Sequence, residues 1–310
     1  MEFLRLLESV RVPALDAFFS AVTYLGDELA FMALALLLFW CVDKRTGYYV
    51  FVVGLFGTFA NQFLKILCRV PRPWVLDPGF TIVESARAAA TGYSFPSGHT
   101  QNAVGTFGAI GLMAKRRWVK IACLALVILV PFSRMYLGVH TPLDVGAAFL
   151  MAAVLLAAFY PVFRSEEKAG KAMPYLLAAG IALSFLFVLY VGGIRADFAP
   201  GSEDESNLSH AVKNAWTLLG AITGLLVVFL VDRNALRFDT RAPILVQVLK
   251  FVLGLALVAG VKAALKPLFY AVFSAGLADC LRYFLVVLLA GLVWPMTFPF
   301  WAKLGAKKEA

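Results

Sequence analysis

Long apolar runs separated by short polar gaps occupy most of this 310-residue chain from position 27 onward. A helix of about 18 or more apolar residues is long enough to cross a hydrocarbon core of roughly 30 Å. The predicted spans are residues 27–42, 47–67, 97–114, 118–135, 143–163, 173–191, 214–231, 244–265 and 278–301. The pattern therefore predicts an all-α fold, a polytopic membrane helical bundle with about nine transmembrane helices.

The first 26 residues differ from this pattern, because charges are scattered among aromatic residues such as Phe18, Phe19 and Tyr24. Such a segment is typical of an amphipathic helix lying on the outer membrane surface. No stretch has the charged start, short apolar centre and small-residue cleavage site of a removable signal peptide, so we expect the spans to direct the chain to the membrane. The predicted organisation is a surface segment (1–26), a membrane core (27–163) and a four-span C-terminal extension (173–310).

Composition supports the membrane class, since 61% of the residues are hydrophobic and 15% are charged, whereas a soluble domain carries about 25% charged residues. All cysteines lie in apolar stretches without paired spacing, and they are Cys41, Cys68, Cys123 and Cys280. We interpret them as small buried residues and not as a disulfide framework or a metal site.

The net charge of +9 comes from basic residues that lie in alternate gaps between the predicted spans. These gaps are residues 43–46, 115–117, 164–172 and 232–243, and the tail from Lys303. The positive-inside rule places them, and the C-terminus, in the cytoplasm. The N-terminus is then outside, together with the gaps 68–96, 136–142, 192–213 and 266–277. Because membrane orientation explains the charge, we expect no nucleic-acid partner.

Three polar clusters fall at the outer ends of predicted spans two to five. They are Lys65 with Arg72-Pro73, then Pro96-Ser97-Gly98-His99, then Ser133-Arg134 with His140 and Asp144. An ionisable residue inside a membrane costs roughly 2.5–3.5 kcal/mol on insertion scales, so a cluster of them is expected to have a function. Since distant segments meet at one face, we predict that the clusters form one site.

The cations of these clusters suit an oxyanion such as phosphate. Lys65 and Arg72 are two helical turns apart, and Arg134 comes from another span. Arginine binds phosphate oxygens through a fixed fork of N–H groups, and lysine adds a mobile point charge. Arg69 fits no such pattern, and we interpret it as an interfacial anchor.

Two histidines follow predicted helix starts. Ser97-Gly98-His99 opens a helix whose free N–H groups and dipole favour an anion, with Gly98 permitting close approach and Ser97 able to cap the helix or donate its hydroxyl. Asp144 lies four residues after His140, where a carboxylate can hold one ring nitrogen and leave the other free to attack. Either feature alone is compatible with a structural role. His210, in an acidic outer loop, is interpreted as an ordinary loop residue, and no residues have the spacing of metal ligands.

These residues read Lys-x6-Arg-Pro, Pro-Ser-Gly-His and Ser-Arg-x5-His-x3-Asp in order along the chain. Over residues 27–163 the chain resembles the type-2 phosphatidic acid phosphatase superfamily, also called lipid phosphate phosphatases, and its nine-span layout is similar to that of glucose-6-phosphatase. The resemblance implies a metal-independent phosphatase with no cofactor, in which His140 attacks phosphorus, Asp144 orients it and His99 protonates the leaving group. The residues that would bind the phosphate oxygens are Lys65, Arg72, Ser97, Gly98 and Arg134.

We therefore expect a phosphatase that hydrolyses lipid phosphate esters through a phosphohistidine intermediate, at the extracytoplasmic face of a bacterial plasma membrane. Candidate substrates are undecaprenyl (pyro)phosphate, phosphatidic acid and phosphatidylglycerol phosphate. Trp74, Phe80 and Tyr93 either suit the interface where a lipid headgroup enters or anchor their loop. The alternatives are a phosphatase of a soluble ester, similar to glucose-6-phosphatase, a lipid-linked phosphotransferase, and an anion transporter. A transporter is disfavoured because the cations lie at one face and not at the midplane.

Overall fold

A computed structural model describes residues 1–194, 198–199 and 201–304, and in these residues the chain is helical, with no β-strand. The helices are α1 (Glu2–Ser9), α2 (Pro13–Thr23), α3 (Glu28–Leu37), α4 (Lys44–Cys68), α5 (Pro73–Leu76), α6 (Gly98–Met113), α7 (Arg117–Tyr136), α8 (Pro142–Phe163), α9 (Glu166–Gly193), α10 (Glu203–Val231), α11 (Ile244–Val272), α12 (Ala275–Leu288) and α13 (Phe298–Lys303). The all-α prediction is confirmed.

Seven helical segments of the described chain are long and apolar enough to cross a membrane, and the pair α2–α3, bent by 54°, raises the number to eight if it forms one span. The predicted count of nine is not confirmed. Helix α6 accounts for part of the difference, because it has 16 residues. At 1.5 Å per residue it is about 24 Å long, shorter than a typical hydrocarbon core.

Helices α9 and α10 begin earlier than the hydrophobic pattern predicts, so polar residues assigned to loops form their first turns. For α10 the cause is local: Ser202 Oγ accepts a hydrogen bond of 3.1 Å from Glu205 N, and the helix dipole favours carboxylates in the first turn. His210 is therefore an exposed helical residue, and its assignment to a loop is wrong. Asp197 of the acidic stretch and the lysines after position 304 lie outside the described residues.

The chain forms two compact units, each assembled from separate segments of the sequence. The first unit contains residues 1–32, 49–164 and, where described, 190–211, and the second contains 33–48, 165–189 and 212–304. All of the predicted site residues lie in the first unit. The predicted domain boundaries stay a prediction.

In the first unit, α6 packs along α7 and α8, and α1 and α2 pack against α7. The predicted surface segment is thus two helices, and they bury Leu4, Leu7 and Phe19 against neighbouring protein. The turn from α7 to α8 needs glycine, because Gly138 has φ +81° and an added Cβ would lie 2.6 Å from Arg11 Nη2. This turn leads directly into the site.

Candidate active site

Lys65 on α4 and Arg72 before α5 donate hydrogen bonds into one loop. Lys65 Nζ donates to Tyr93 O. Arg72 donates from Nε to Gly92 O at 3.0 Å and from Nη2 to Thr91 O at 2.7 Å. Both side chains are buried, with 7% and 5% of their surface exposed. The two cations therefore converge as the sequence predicts.

His140 lies between α7 and α8, and its two ring nitrogens face different groups. Nε2 lies 3.0 Å from Arg72 Nη1, and Nδ1 lies 3.5 Å from Asp144 Oδ2. Because arginine can only donate, Nε2 is the acceptor and the ring proton is on Nδ1, toward the carboxylate. Burial holds the pKa of His140 well below its ordinary value, and nearby Arg72, Arg134 and Lys65 lower it further. This environment favours the neutral imidazole.

The start of α8 fixes the orientation of Asp144. Its Oδ2 accepts hydrogen bonds from Thr141 N at 2.7 Å and from Ser94 Oγ at 2.6 Å. In return, Thr141 Oγ1 accepts from Asp144 N at 3.2 Å, which completes a capping box at the start of the helix, and Pro142 occupies the first helical position. The carboxylate that faces His140 is thus held from two sides.

The start of α6 lies beside the start of α8. Ser97 Oγ caps α6 by accepting from Thr100 N at 3.3 Å, and Ser97 N donates to Asp144 O at 3.1 Å. An added Cβ at Gly98 would meet nothing closer than 3.8 Å, so a ligand has room to approach this backbone. The His99 side chain is 14% exposed, compared with 2% for His140.

Arg134 comes from α7 and is fully buried. Its Nη1 donates to Thr23 Oγ1 at 2.7 Å, whereas Nε and Nη2 have no hydrogen-bond partner among the described residues. A buried charged donor without a partner costs several kcal/mol. These N–H groups are therefore suited to the oxygens of an anion.

A pocket of about 290 Å³ is lined by His99 and Arg134. Its other walls come from α2, the turn after α2 and the loop between α5 and α6, and they contain Ser20, Thr23, Tyr24, Ser85, Ala86, Ala88 and Ala89. Ser20 Oγ and Ser85 Oγ lie 2.9 Å apart and join two of these walls. The pocket is thus bounded in part by the N-terminal segment.

Sequence reasoning missed Ser94, Thr23 and the proximity of Asp27 to His99. Ser94 lies two residues before Pro96, so its closeness to the motif was the only signal. Thr23 is 111 residues away from Arg134 along the chain, and no local pattern indicates that contact.

The structure bears on the two alternatives for the aromatic loop. Phe80 and Tyr93 are each 4% exposed, which favours the alternative in which these aromatic residues anchor their loop. The guanidinium groups of Arg5 and Arg11 each lie 5.4 Å from the Phe80 ring centroid, and such contacts favour a place inside the protein. Among the described residues, no group of three or more His, Cys, Asp or Glu side chains is arranged to hold a metal ion.

Comparison with known proteins gives matches over both halves of the chain. Residues 45–168 match the PAP2 superfamily, and residues 216–307 match the PAP2 superfamily phosphatase, transmembrane extension. No solved structure matches the chain.

Three curated relatives illustrate the range of the similarity. Sphingosine-1-phosphate phosphatase 1 of Mus musculus is 29% identical over 163 residues, which are 50% of this chain and 37% of that protein. Lipid phosphate phosphatase delta of Arabidopsis thaliana is 26% identical over 223 residues, 68% of this chain and 52% of the relative. Undecaprenyl-diphosphatase of Sulfolobus acidocaldarius is 26% identical over 153 residues, 49% of this chain and 72% of the relative.

The chain spans between about a third and a half of the length of the sphingosine-1-phosphate phosphatases that it matches. The first family match contains all three polar clusters, and the second lies in the C-terminal helices. Together the two matches cover more than half of the residues, and the chain belongs to the PAP2 superfamily as a membrane-embedded helical protein.

Proposed function

We propose that this protein is a metal-independent membrane phosphatase that hydrolyses lipid phosphate esters or diphosphates through a phosphohistidine intermediate. The observation that carries the proposal is the setting of His140, whose Nδ1 faces Asp144 while Nε2 faces Arg72. A neutral imidazole with one nitrogen held by a carboxylate is an oriented nucleophile.

In the first step, His140 Nε2 attacks phosphorus. The P–N bond forms as the bond from phosphorus to the leaving oxygen breaks, and Asp144 stabilises the positive ring. His99, which lines the pocket, donates its proton to the leaving oxygen. Lys65, Arg72 and Arg134 stabilise the charge on the other phosphate oxygens, because phosphoryl transfer depends mainly on positioning and electrostatics.

In the second step, water attacks the phosphohistidine. His99 accepts a proton from that water, the P–N bond breaks, and His140 returns to its neutral form as inorganic phosphate leaves. The backbone at Ser97 and Gly98 contributes the positive end of α6 to the phosphate site. Each proton has a named donor or acceptor in the chain, so the proposal includes no metal or cofactor.

The names of the relatives support a lipid substrate, since they describe phosphatases of sphingosine 1-phosphate, lipid phosphate and undecaprenyl diphosphate. The test is release of inorganic phosphate by purified protein in detergent with EDTA. The substrates are sphingosine 1-phosphate, phosphatidic acid, phosphatidylglycerol phosphate, undecaprenyl monophosphate and diphosphate, and glucose 6-phosphate. We expect release from one or more lipids. Preference for glucose 6-phosphate would favour a soluble substrate, and no release from any compound would contradict the enzyme.

We also propose an extracytoplasmic site and a cytoplasmic C-terminus, on the support of the basic gaps between the predicted spans. Thr91 in the site loop and Arg116 before α7 are both exposed. In a chain without native cysteines, a single cysteine at Thr91 should react with a membrane-impermeant maleimide in intact cells. One at Arg116 should react only after lysis. The reverse pattern would overturn the orientation.

A further inference from the structure

We propose that Asp27 is a positioning residue for His99, so that the corner between α2 and α3 (residues 23–28) belongs to the active site. The inference rests on the proposed function, because it assigns His99 the proton transfer to the leaving oxygen. It adds a carboxylate that lies outside all three polar clusters.

The geometry starts from the two oxygens of Asp27. Oδ1 accepts a hydrogen bond of 2.9 Å from Leu29 N at the start of α3. This bond orients the carboxylate, and Oδ2 lies 3.9 Å from His99 Nε2. This separation is an ion-pair distance, longer than a direct hydrogen bond, and an anion beside Nε2 leaves Nδ1 of the same ring for the leaving oxygen. The two carboxylate oxygens thus serve the helix start and the histidine separately.

The corner is fixed against the start of α6 by close packing. A Cβ added to Gly26 would lie 2.8 Å from His99 O and 2.7 Å from Val130 Cγ1, so only glycine fits without a shift. Asn102 Nδ2 donates to Gly26 O at 3.4 Å. The same corner supplies Thr23, the partner of Arg134. His99 and Arg134, the two titratable residues of the pocket, therefore both lie against this N-terminal corner.

The charges around His99 indicate what the carboxylate of Asp27 contributes. Burial disfavours the protonated form of His99 most strongly, followed by Arg134, Arg72 and Lys65, and His99 in turn acts on His140. The three cations disfavour a protonated imidazole, yet a general acid must carry its proton when the leaving oxygen departs. Asp27 acts electrostatically on Arg134, and by Coulomb's law its negative charge, 3.9 Å from His99 Nε2, also favours the protonated ring. We infer that it both orients the ring and keeps it supplied with a proton.

The simpler role for Asp27 is capping α3, and the substitution Asp27→Asn separates the two roles. Asparagine caps helices as well as aspartate does, but it removes the charge. We expect Asp27→Asn to lower kcat/KM on a lipid phosphate by about tenfold, less than the 10²–10⁴-fold typical of the acid–base group itself, because His99 remains. The alkaline limb of the kcat/KM profile of this variant should move to lower pH, since the protonated His99 ring loses its counter-charge.

Leaving-group dependence sharpens the test. An aryl phosphate such as p-nitrophenyl phosphate departs without a proton, so Asp27→Asn should lose much less activity on it than on the lipid ester. Asp27→Glu should recover part of the lipid activity. The matched control is Asp16→Asn on α2, which removes the same charge from a residue that accepts from Tyr136 OH at 2.8 Å. That control should keep the wild-type pH profile.

The outcomes are distinct. If Asp27→Asn loses equal activity on both esters and keeps the wild-type alkaline limb, while the wild type releases phosphate, the positioning role is overturned and capping remains. If the wild type releases no phosphate from any ester, the proposed function fails and the inference fails with it. Thermal unfolding in detergent shows whether both asparagine variants are folded.

Discussion

The two compact units of this protein bury charged side chains in different ways. In the first unit, Lys65, Arg72 and Arg134 are buried close to one another, and Asp144 is the buried carboxylate beside them. Lys65 and Arg72 donate mainly to backbone carbonyls. Two guanidinium positions of Arg134 have no hydrogen-bond partner among the described residues. Positive charge exceeds negative charge here.

In the second unit, each buried carboxylate has a cation as its partner, and the buried Lys250 donates to Thr240 O at 3.1 Å. Lys44 Nζ lies 2.8 Å from Asp232 Oδ2, and Arg282 Nη2 lies 2.5 Å from Asp279 Oδ1. Taking a single charge out of water costs several kcal/mol, and a close partner offsets much of that cost. The ion pairs therefore suit a structural role, whereas three buried cations beside one buried carboxylate in the first unit suit an anionic ligand.

The largest test of this difference is His140→Ala. We expect turnover to fall by at least about 10²–10⁴-fold, because the proposed nucleophile is lost from a site where the cations remain. The measurement is phosphate release by purified protein. The matched control is His210→Ala, which removes an exposed histidine of α10 and should leave turnover unchanged. If the His140 variant keeps wild-type turnover, the excess of buried cations in the first unit does not mark a catalytic site.

The parts of this site that the sequence predicted are those defined by short spacing. His140 and Asp144 are one helical turn apart, and the capping residues of α8 lie between them. Ser97 and Gly98 likewise mark the start of α6. In each case the same few residues that start a helix also belong to the proposed phosphate site, so a local pattern is sufficient.

The parts that the sequence did not predict depend on packing between distant segments. Tyr93 OH donates to Asp204 at 2.5 Å across 111 positions, although Asp204 reads as a solvated acidic residue. The contact of Thr23 with Arg134 spans the same distance in sequence. Hydrophobic runs predict the helices, but they leave the number of membrane crossings undecided, because α6 is short and α2–α3 is bent.

The second test compares an arginine from each unit. Arg134→Lys keeps the charge but loses the fork, and with it N–H groups that are suited to phosphate oxygens. Hydrogen bonds to charged groups contribute about 1.5–3 kcal/mol each, so we expect kcat/KM to fall about 10–100-fold and orthovanadate inhibition to weaken. Arg282→Lys in the second unit should change neither value. Equal effects of the two substitutions would contradict the comparison.

The third test uses pH. Burial and the neighbouring cations hold the pKa of His140 well below the ordinary value of about 6.5. The neutral, nucleophilic ring therefore persists as the pH falls, and the acid limb of kcat/KM should lie below that value. An unshifted histidine would lose about tenfold by pH 5.5, and we expect a smaller loss. If a monoester and a diphosphate give the same acid limb, that limb reports a group of the protein and not of the substrate. An acid limb near pH 6.5 would contradict the lowered pKa that we expect for His140.

The smallest effect on catalysis is expected from the ion pair of the second unit. Asp279 and Arg282 are 2% and 4% exposed, and Tyr270 OH donates to the other carboxylate oxygen at 2.8 Å. Asp279→Ala leaves the buried guanidinium without its carboxylate, which should lower the free energy of unfolding by about 3–5 kcal/mol. Replacing both partners by apolar residues, Asp279→Leu with Arg282→Met, removes the unpaired charge and should recover most of that loss. Thermal unfolding in detergent measures both changes.

The same two variants show whether the second unit takes part in the reaction. Below its unfolding temperature, each should keep the wild-type kcat/KM, because neither residue belongs to the cluster around His140. The stability loss of the single variant and the recovery of the double variant would then be a structural effect separate from catalysis. A folded double variant with reduced kcat/KM would show instead that this pair supports the reaction. In that case the contrast between the buried ion pairs of the second unit and the excess of buried cations in the first would no longer separate a structural unit from a catalytic one.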